Sequence, residues 1–127
     1  MNIAECVVVS GGFDPIHVGH LRMFTEASEL APRLIVIINS DNFLIEKKGY
    51  VFMPIAERME IIEGFAVVDM VVESVDKDLT VCETLQWLAK KENVIIFANG
   101  GDRNNTDAIP EADVCRENKI AMKFNVG

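Results

Sequence analysis

The sequence has few of the residues that build disulfide frameworks, metal sites or membrane spans. Its three cysteines, Cys6, Cys82 and Cys115, are odd in number, far apart and without metal-ligand spacing, so we expect reduced thiols that neither bind zinc nor act as nucleophiles. No basic leader precedes an apolar segment at the N-terminus, and no apolar run approaches the length that spans a bilayer. We therefore expect a soluble, unprocessed cytoplasmic protein that does not act at a membrane.

Positive charge is also scarce. Twelve Lys and Arg residues stand against twenty Asp and Glu residues, and the formal net charge is −8. This balance opposes non-specific nucleic-acid binding, which depends on basic side chains that neutralise phosphates. The 127 residues contain no internal repeat and no low-complexity linker. They therefore predict one domain over residues 1–127 with a single core.

Apolar segments alternate with segments of helical period. Continuous or alternating apolar patterns predict strands at 3–9, 34–38, 67–72, 94–98 and 120–126. Helices are predicted from His17 to Pro32, from Pro54 through Ile62, from a Thr80–Glu83 capping box, and within 110–117. Trp87 is expected to point into the core, and residues 39–53 have no sustained period and predict a long loop.

This alternation predicts an α/β fold: a Rossmann-like, doubly wound, five-stranded parallel sheet between two layers of helices. Asp69 interrupts the third strand and the fifth strand alternates, so both are expected at the edges, which gives the order 3-2-1-4-5. Strands one and four then lie side by side at the topological switch point. Two glycine-rich segments, Gly11-Gly12 and Gly100-Gly101, would meet there at the carboxyl ends of the strands, where such sheets bind ligands.

The segment from Ser10 to His20 joins the first strand to the first helix and predicts a phosphate site. Glycines allow backbone N–H groups to approach an anion, and the helix N-terminus adds further donors. His17 and His20 are three residues apart, so both imidazoles could reach one phosphate. The segment has neither the P-loop ending nor the spacing of the dinucleotide fingerprint. The alternative is that the two histidines only cap the helix and pack in the core.

The motif His17-x-Gly19-His20, preceded by Gly11-Gly12-Phe13-Asp14, resembles the HxGH nucleotidyltransferase superfamily. Similar members are glycerol-3-phosphate cytidylyltransferases, the nucleotidyltransferase domain of ADP-heptose synthase, and pantetheine-phosphate and nicotinamide-mononucleotide adenylyltransferases. The resemblance implies transfer of a CMP or AMP unit from CTP or ATP to a small phosphorylated alcohol or sugar. Pyrophosphate would leave, Mg²⁺ would arrive with the triphosphate, and the protein would be a homodimer.

The resemblance also implies a role for each site residue. His17 and His20 would stabilise charge at the α-phosphate, and Lys48, slightly favoured over Lys47, would reach a substrate phosphate. Arg58 opens an Arg-x-x-Ile-Ile motif that serves the phosphates or the interface beside them. The predicted catalytic residues are His17, His20 and Lys48, and the predicted nucleotide-binding residues are Ser10, Gly11, Gly12, Phe13, Asp14, Lys47, Arg58, Gly100, Gly101, Asp102 and Arg103, with no protein ligand to a metal.

Two departures from the family pattern keep other functions open. Gly12 stands where relatives often have a hydroxyl-bearing residue, and the sequence stops at Gly127, before the Ile-Ser-Ser/Thr-Thr motif with which relatives grip the triphosphate. Without this motif we expect weaker nucleotide binding. A non-catalytic nucleotide-binding or regulatory module is therefore the alternative function. A flavin-binding electron carrier is a third hypothesis, although it would give the histidine pair no role.

Overall fold

A computed structural model describes residues 4–99, 110–124 and 126, which form one parallel sheet of five strands in the order β3-β2-β1-β4-β5. The predicted fold class and strand order are confirmed. The strands are β1 (Glu5–Gly11), β2 (Arg33–Ile38), β3 (Met70–Glu73), β4 (Asn93–Ala98) and β5 (Ala121–Lys123). The helices are α1 (Val18–Ala27), α2 (Asp41–Lys48), α3 (Ile55–Glu63), α4 (Cys82–Lys91) and α5 (Ala112–Glu117).

The two central strands β1 and β2 are buried on both faces, which explains their continuous apolar sequences. Successive side chains of β1 point to opposite faces. Val7 and Val9 pack in a cluster with residues of α1 and α3, including Phe24 and Ile62. The opposite face forms a second cluster with residues of α4 and α5, including Leu85. The sheet therefore lies between two helical layers, as predicted.

Residues 39–53 are not one long loop, because they contain α2. This helix buries only Phe43 and Leu44 and has no apolar stripe, so its period was not visible in the sequence. Its ends do carry local signals. The Ser40 hydroxyl accepts a hydrogen bond from the Phe43 N–H, and Gly49 ends the helix in the left-handed conformation, with φ 88°.

Helix α4 corrects two predictions. The predicted capping box is absent: Val81 occupies the N-cap position without a side-chain hydrogen bond, and the helix begins at Cys82. The Asp76 carboxylate, six residues before the helix, accepts hydrogen bonds from the N–H groups of Glu83 and Thr84 instead. Trp87 is not in the core, because it is 44% exposed and its ring contacts the Lys91 ammonium.

Several element ends also differ from the sequence prediction. Helix α1 ends at Ala27 rather than at Pro32, although Leu30 and Ala31 still pack against the core. Strand β1 continues to Gly11, which carries it to the start of the predicted phosphate site. Strand β3 begins only at Met70. No helix among the described residues is long and apolar enough to cross a membrane.

Candidate active site

A cavity of about 270 Å³ lies at the carboxyl ends of β1 and β4, at the switch point of the sheet. One wall is the glycine loop, by which we mean residues 10–14. The cavity is lined by Ser10, Gly11, Gly12, Phe13, His20, Met23, Asn39, Phe43, Lys47, Leu79, Thr80, Val81, Ala98, Asn99 and Glu111. A cavity therefore lies where the sequence predicted the site.

The two histidines begin helix α1 as a reciprocal capping box. His17 is the N-cap, and its Nδ1 accepts a hydrogen bond from the Gly19 N–H at 3.0 Å, while Nδ1 of His20 accepts from the His17 N–H at 3.2 Å. The rings stack with centroids 3.8 Å apart. Backbone N–H groups can only donate, so in the neutral rings the proton must be on Nε2. Each imidazole therefore keeps one N–H donor for a ligand.

His20 is held in the neutral form. Burial and, as a smaller cause, the neighbouring His17 together lower its pKa from the ordinary value to about 4. The Phe13 ring contacts the His20 ring edge to face, with centroids 5.0 Å apart. A neutral His20 can donate one hydrogen bond to a phosphate oxygen over the whole physiological pH range. The capping geometry agrees with the cap role of the alternative hypothesis, but it also leaves Nε2 available.

The low pKa of His20 predicts a pH dependence. Between pH 6.5 and about 4 the unfolded chain takes up a proton that the folded chain does not, so stability falls as the pH falls through this window. With allowance for partial exposure, we expect wild type to lose roughly 1 to 2 kcal/mol more than His20→Asn over this range. NMR titration should give His20 a midpoint near 4. A midpoint at or above its ordinary value would contradict this prediction.

The glycine loop is shaped by close packing beneath it. Phe13 is buried and has a positive φ of 53°, which turns its ring under the loop and against Phe24. A Cβ atom on Gly11 would lie 2.9 Å from the Phe13 ring. A larger residue at position 11 would therefore displace the ring. Phe13 supports the loop from the core, and it also lines the cavity at the position where the sequence predicted a nucleotide-binding residue.

Arg58 also supports the loop from inside the protein. Its side chain is 0% exposed. It donates hydrogen bonds to the backbone carbonyls of Gly12, Asn39 and Met53, at 2.7 to 2.9 Å, and to the Asp41 carboxylate at 2.6 Å. This burial corrects the predicted phosphate contact. Arg58 is a positioning residue that joins the glycine loop to the ends of β2 and α2.

The two adjacent lysines occupy different environments. Nζ of Lys48 lies 2.9 Å from both the carbonyl and a carboxylate oxygen of Asp14, and its side chain is absent from the cavity lining. Lys47 lines the cavity and is exposed. The sequence favoured Lys48 for the phosphate contact, whereas the structure places Lys47 at the cavity.

Asp14 is committed to the loop that follows α2. Its carboxylate accepts hydrogen bonds from the N–H groups of Phe52 and Met53 and pairs with Lys48. Burial alone would raise the pKa of Asp14, but the hydrogen bonds from Lys48, Phe52 and Met53 outweigh it and hold the pKa below its usual value. Asp14 therefore orients the loop that follows α2, whereas the sequence predicted a nucleotide-binding residue.

Three buried polar residues of the cavity were not predicted. Asn39 and Asn99 directly follow β2 and β4, and Glu111 precedes α5. All three are less than 10% exposed, and Oε2 of Glu111 accepts a hydrogen bond from the Val81 N–H at 3.0 Å. Their position directly after buried strands was the available signal for the two asparagines. The predicted residues Gly100, Gly101, Asp102 and Arg103 lie outside the described residues.

Two further kinds of site, a protein-bound metal ion and a reactive thiol, were also considered for the described part of the chain. There, no group of three or more His, Cys, Asp and Glu side chains could hold a metal ion. The carboxylates of Asp14 and Asp41 are engaged by N–H donors and cations. Mg²⁺ that arrives with a triphosphate commonly keeps phosphate and water ligands and few protein ligands. Burial raises the pKa of the Cys115 thiol to about 11, so it is a poor nucleophile.

Comparison with known proteins places these features in a family. The model of the family described as cytidylyltransferase-like matches residues 8–123. The bifunctional protein HldE of Photobacterium profundum is 34% identical over 106 residues, which are 81% of this chain and 21% of that protein. FAD synthase of Thermococcus sibiricus is 36% identical over 101 residues, which are 77% of this chain and 64% of that protein. The chain thus spans about a fifth of HldE and less than two thirds of FAD synthase.

A solved structure shows the same fold over almost the whole chain. The lipopolysaccharide core biosynthesis protein of Thermoplasma volcanium superposes with a TM-score of 0.80 at 18% identity, and the match covers 98% of this chain and 97% of that protein. The family match contains the glycine loop, both histidines, the last four residues of β1 and the whole of the other four strands. On this evidence the chain belongs to the cytidylyltransferase-like family of nucleotidyltransferases.

Proposed function

We propose that this protein transfers a CMP or AMP unit from a nucleoside triphosphate to a small phosphorylated alcohol or sugar. The observation that carries the proposal is the histidine pair, in which both Nδ1 atoms accept from the backbone and leave the Nε2 atoms as donors. His20 lines the cavity beside the glycine loop, and His17, which is exposed, stacks on His20 at the start of α1. Donors that are fixed before substrate binds can stabilise negative charge that develops in a transition state.

The proposed nucleotidyl transfer would use the groups that line the cavity. A phosphate oxygen of the acceptor attacks the α-phosphorus, the bond from this phosphorus to the bridging oxygen breaks, and pyrophosphate leaves. Negative charge grows on the oxygens of the α-phosphate and of the leaving group. His17 and His20 would donate to the former, and Lys47 would attract the latter. The protein supplies position and charge, and no covalent enzyme intermediate is needed.

The relatives suggest which acceptors to test. FAD synthase is named for the formation of FAD, and the HxGH resemblance points to phosphorylated alcohols and sugars, so both kinds of acceptor should be tested. CTP and ATP should each be combined with glycerol 3-phosphate, heptose 1-phosphate and FMN, with Mg²⁺ present, and pyrophosphate release measured. Turnover with at least one pair is expected, and His20→Asn provides the control for contaminating activity. No release from any pair would contradict the proposed function.

The lysines give a prediction of their own. Lys47→Met should lower kcat/KM about 10- to 100-fold with little change in stability, because a charge-assisted contact to phosphate is lost at an exposed position. Lys48→Met is the matched comparison. It should lower the free energy of unfolding by about 1 kcal/mol, because the buried Asp14 carboxylate loses its cation. Steady-state kinetics and urea denaturation separate the two effects. A larger rate loss in Lys48→Met, at unchanged stability, would restore Lys48 as the phosphate ligand.

A further inference from the structure

We propose that Asn39 is a specificity-determining residue whose carboxamide binds a hydroxyl group of a substrate. This inference rests on the proposed function and narrows its substrate class. Asn39 directly follows β2, next to the glycine loop, and lines the same cavity as His20. It is only 7% exposed, so it belongs to the interior of the site.

Both backbone polar groups of Asn39 are hydrogen-bonded. Its N–H donates to the Gly11 carbonyl at 2.9 Å, and its carbonyl accepts from Arg58 at 2.7 Å. These bonds join Asn39 to the glycine loop and to the buried arginine that supports it. The position of the side chain relative to the loop is therefore fixed by the same contacts that shape the phosphate site.

The carboxamide oxygen is not satisfied by the part of the protein that the structure describes. Among the described residues, no donor lies within hydrogen-bond distance of the buried Oδ1 atom. An unpaired buried carbonyl oxygen costs free energy, and an apolar side chain of the same size would avoid this cost. The presence of an amide at this point is therefore not explained by the packing of the fold.

The missing partner must be a donor. A phosphate oxygen of an ionised substrate cannot donate to Oδ1, whereas a hydroxyl group can donate to the carboxamide oxygen and accept from its NH₂ group. The phosphorylated alcohols and sugars of the proposed function carry such hydroxyl groups, and so does the ribose of the nucleotide. In either case the hydroxyl is recognised and is not the attacking group.

The test compares pairs of ligands that differ by one hydroxyl. The acceptor pair is glycerol 3-phosphate and 3-hydroxypropyl phosphate, which lacks the central hydroxyl, and the nucleotide pairs are CTP and ATP with their 2′- and 3′-deoxy forms. Wild type should prefer one hydroxylated ligand by about tenfold in calorimetric affinity or kcat/KM. Asn39→Leu should remove this preference. Asn42→Leu, the same change on the exposed side of α2, should keep it.

The stability of the variant is a second readout. Asn39→Leu removes an unsatisfied polar group, so its urea midpoint should equal or exceed that of wild type. Asn39→Ala carries the same ligand test if leucine does not fit.

Loss of preference in the acceptor pair assigns the hydroxyl to the acceptor, and loss in a nucleotide pair assigns it to the ribose. Both outcomes support the proposal.

The remaining outcomes overturn one proposal or both. Equal preferences in wild type and Asn39→Leu, with normal turnover, would overturn the role of Asn39 and leave the proposed function intact. A preference that Asn39→Leu removes in calorimetry, without turnover of any pair, would overturn the transferase function and keep Asn39 as a hydroxyl-binding residue. No binding of any of these ligands would overturn both.

Discussion

His20→Ala is expected to lower kcat about 10²- to 10³-fold, the usual effect of removing one fixed donor from developing negative charge. The triphosphate dissociation constant should change much less, because the Nε2 donor acts mainly in the transition state. His17→Ala should behave in the same way, since its Nδ1 is also occupied by a backbone N–H and its Nε2 is also available. Single-turnover rates and calorimetry with the same nucleotide measure the two quantities separately.

The capping role of the histidines must be separated from their catalytic role. In asparagine, Oδ1 takes the place of the histidine Nδ1, so His20→Asn and His17→Asn can still accept from the His17 and Gly19 N–H groups. These variants lose only the Nε2 donor. We expect them to keep the stability of wild type and to lose as much rate as the alanine variants. If the variants lose triphosphate affinity and kcat/KM to the same extent, and kcat at saturating substrate is unchanged, the histidines only anchor substrate.

Arg58→Met is expected to lower the free energy of unfolding by about 3 kcal/mol, because it leaves the partners of a buried charge without their donor. The carbonyls of Gly12, Asn39 and Met53 lose hydrogen bonds in this variant. Asp41 is 39% exposed at its side chain, so part of its carboxylate can turn to water, which keeps the effect near the lower end of the range for buried pairs. Urea denaturation measures the loss.

Two control variants separate the effect of burial at Arg58 from the loss of an arginine as such. Arg116→Met removes an ion pair with Asp113 in which both side chains are more than 60% exposed, and it should change stability by less than about 1 kcal/mol. Arg58→Lys keeps the charge but not the planar fork that reaches several acceptors, so an intermediate loss is expected. If Arg58→Met were as stable as Arg116→Met, Arg58 would not be the support of the glycine loop.

The sequence was informative where the signal is local. Continuous apolar runs identified β1, β2 and β4 because both faces of these strands are covered, and the interruption at Asp69 placed β3 at an edge. In the structure, Asp69 lies before β3, where its carboxylate accepts from the Leu34 N–H. Helix α2 was missed because it has no amphipathic period, and Trp87 was misplaced because an apolar side chain can also lie on the surface beside Lys91.

What the sequence determined by itself is therefore the order of the strands and the place of the candidate site, since both follow from patterns a few residues long and from the rules of parallel sheets. The tertiary structure decided which side chains support the site and which line it. Arg58 is buried because carbonyls 5, 19 and 46 residues away in the sequence meet at one point. Lys47 lines the cavity, whereas the adjacent Lys48 pairs with Asp14, which lies 34 residues earlier in the sequence. Such assignments depend on contacts between distant segments, and a periodic pattern in the chain does not encode them.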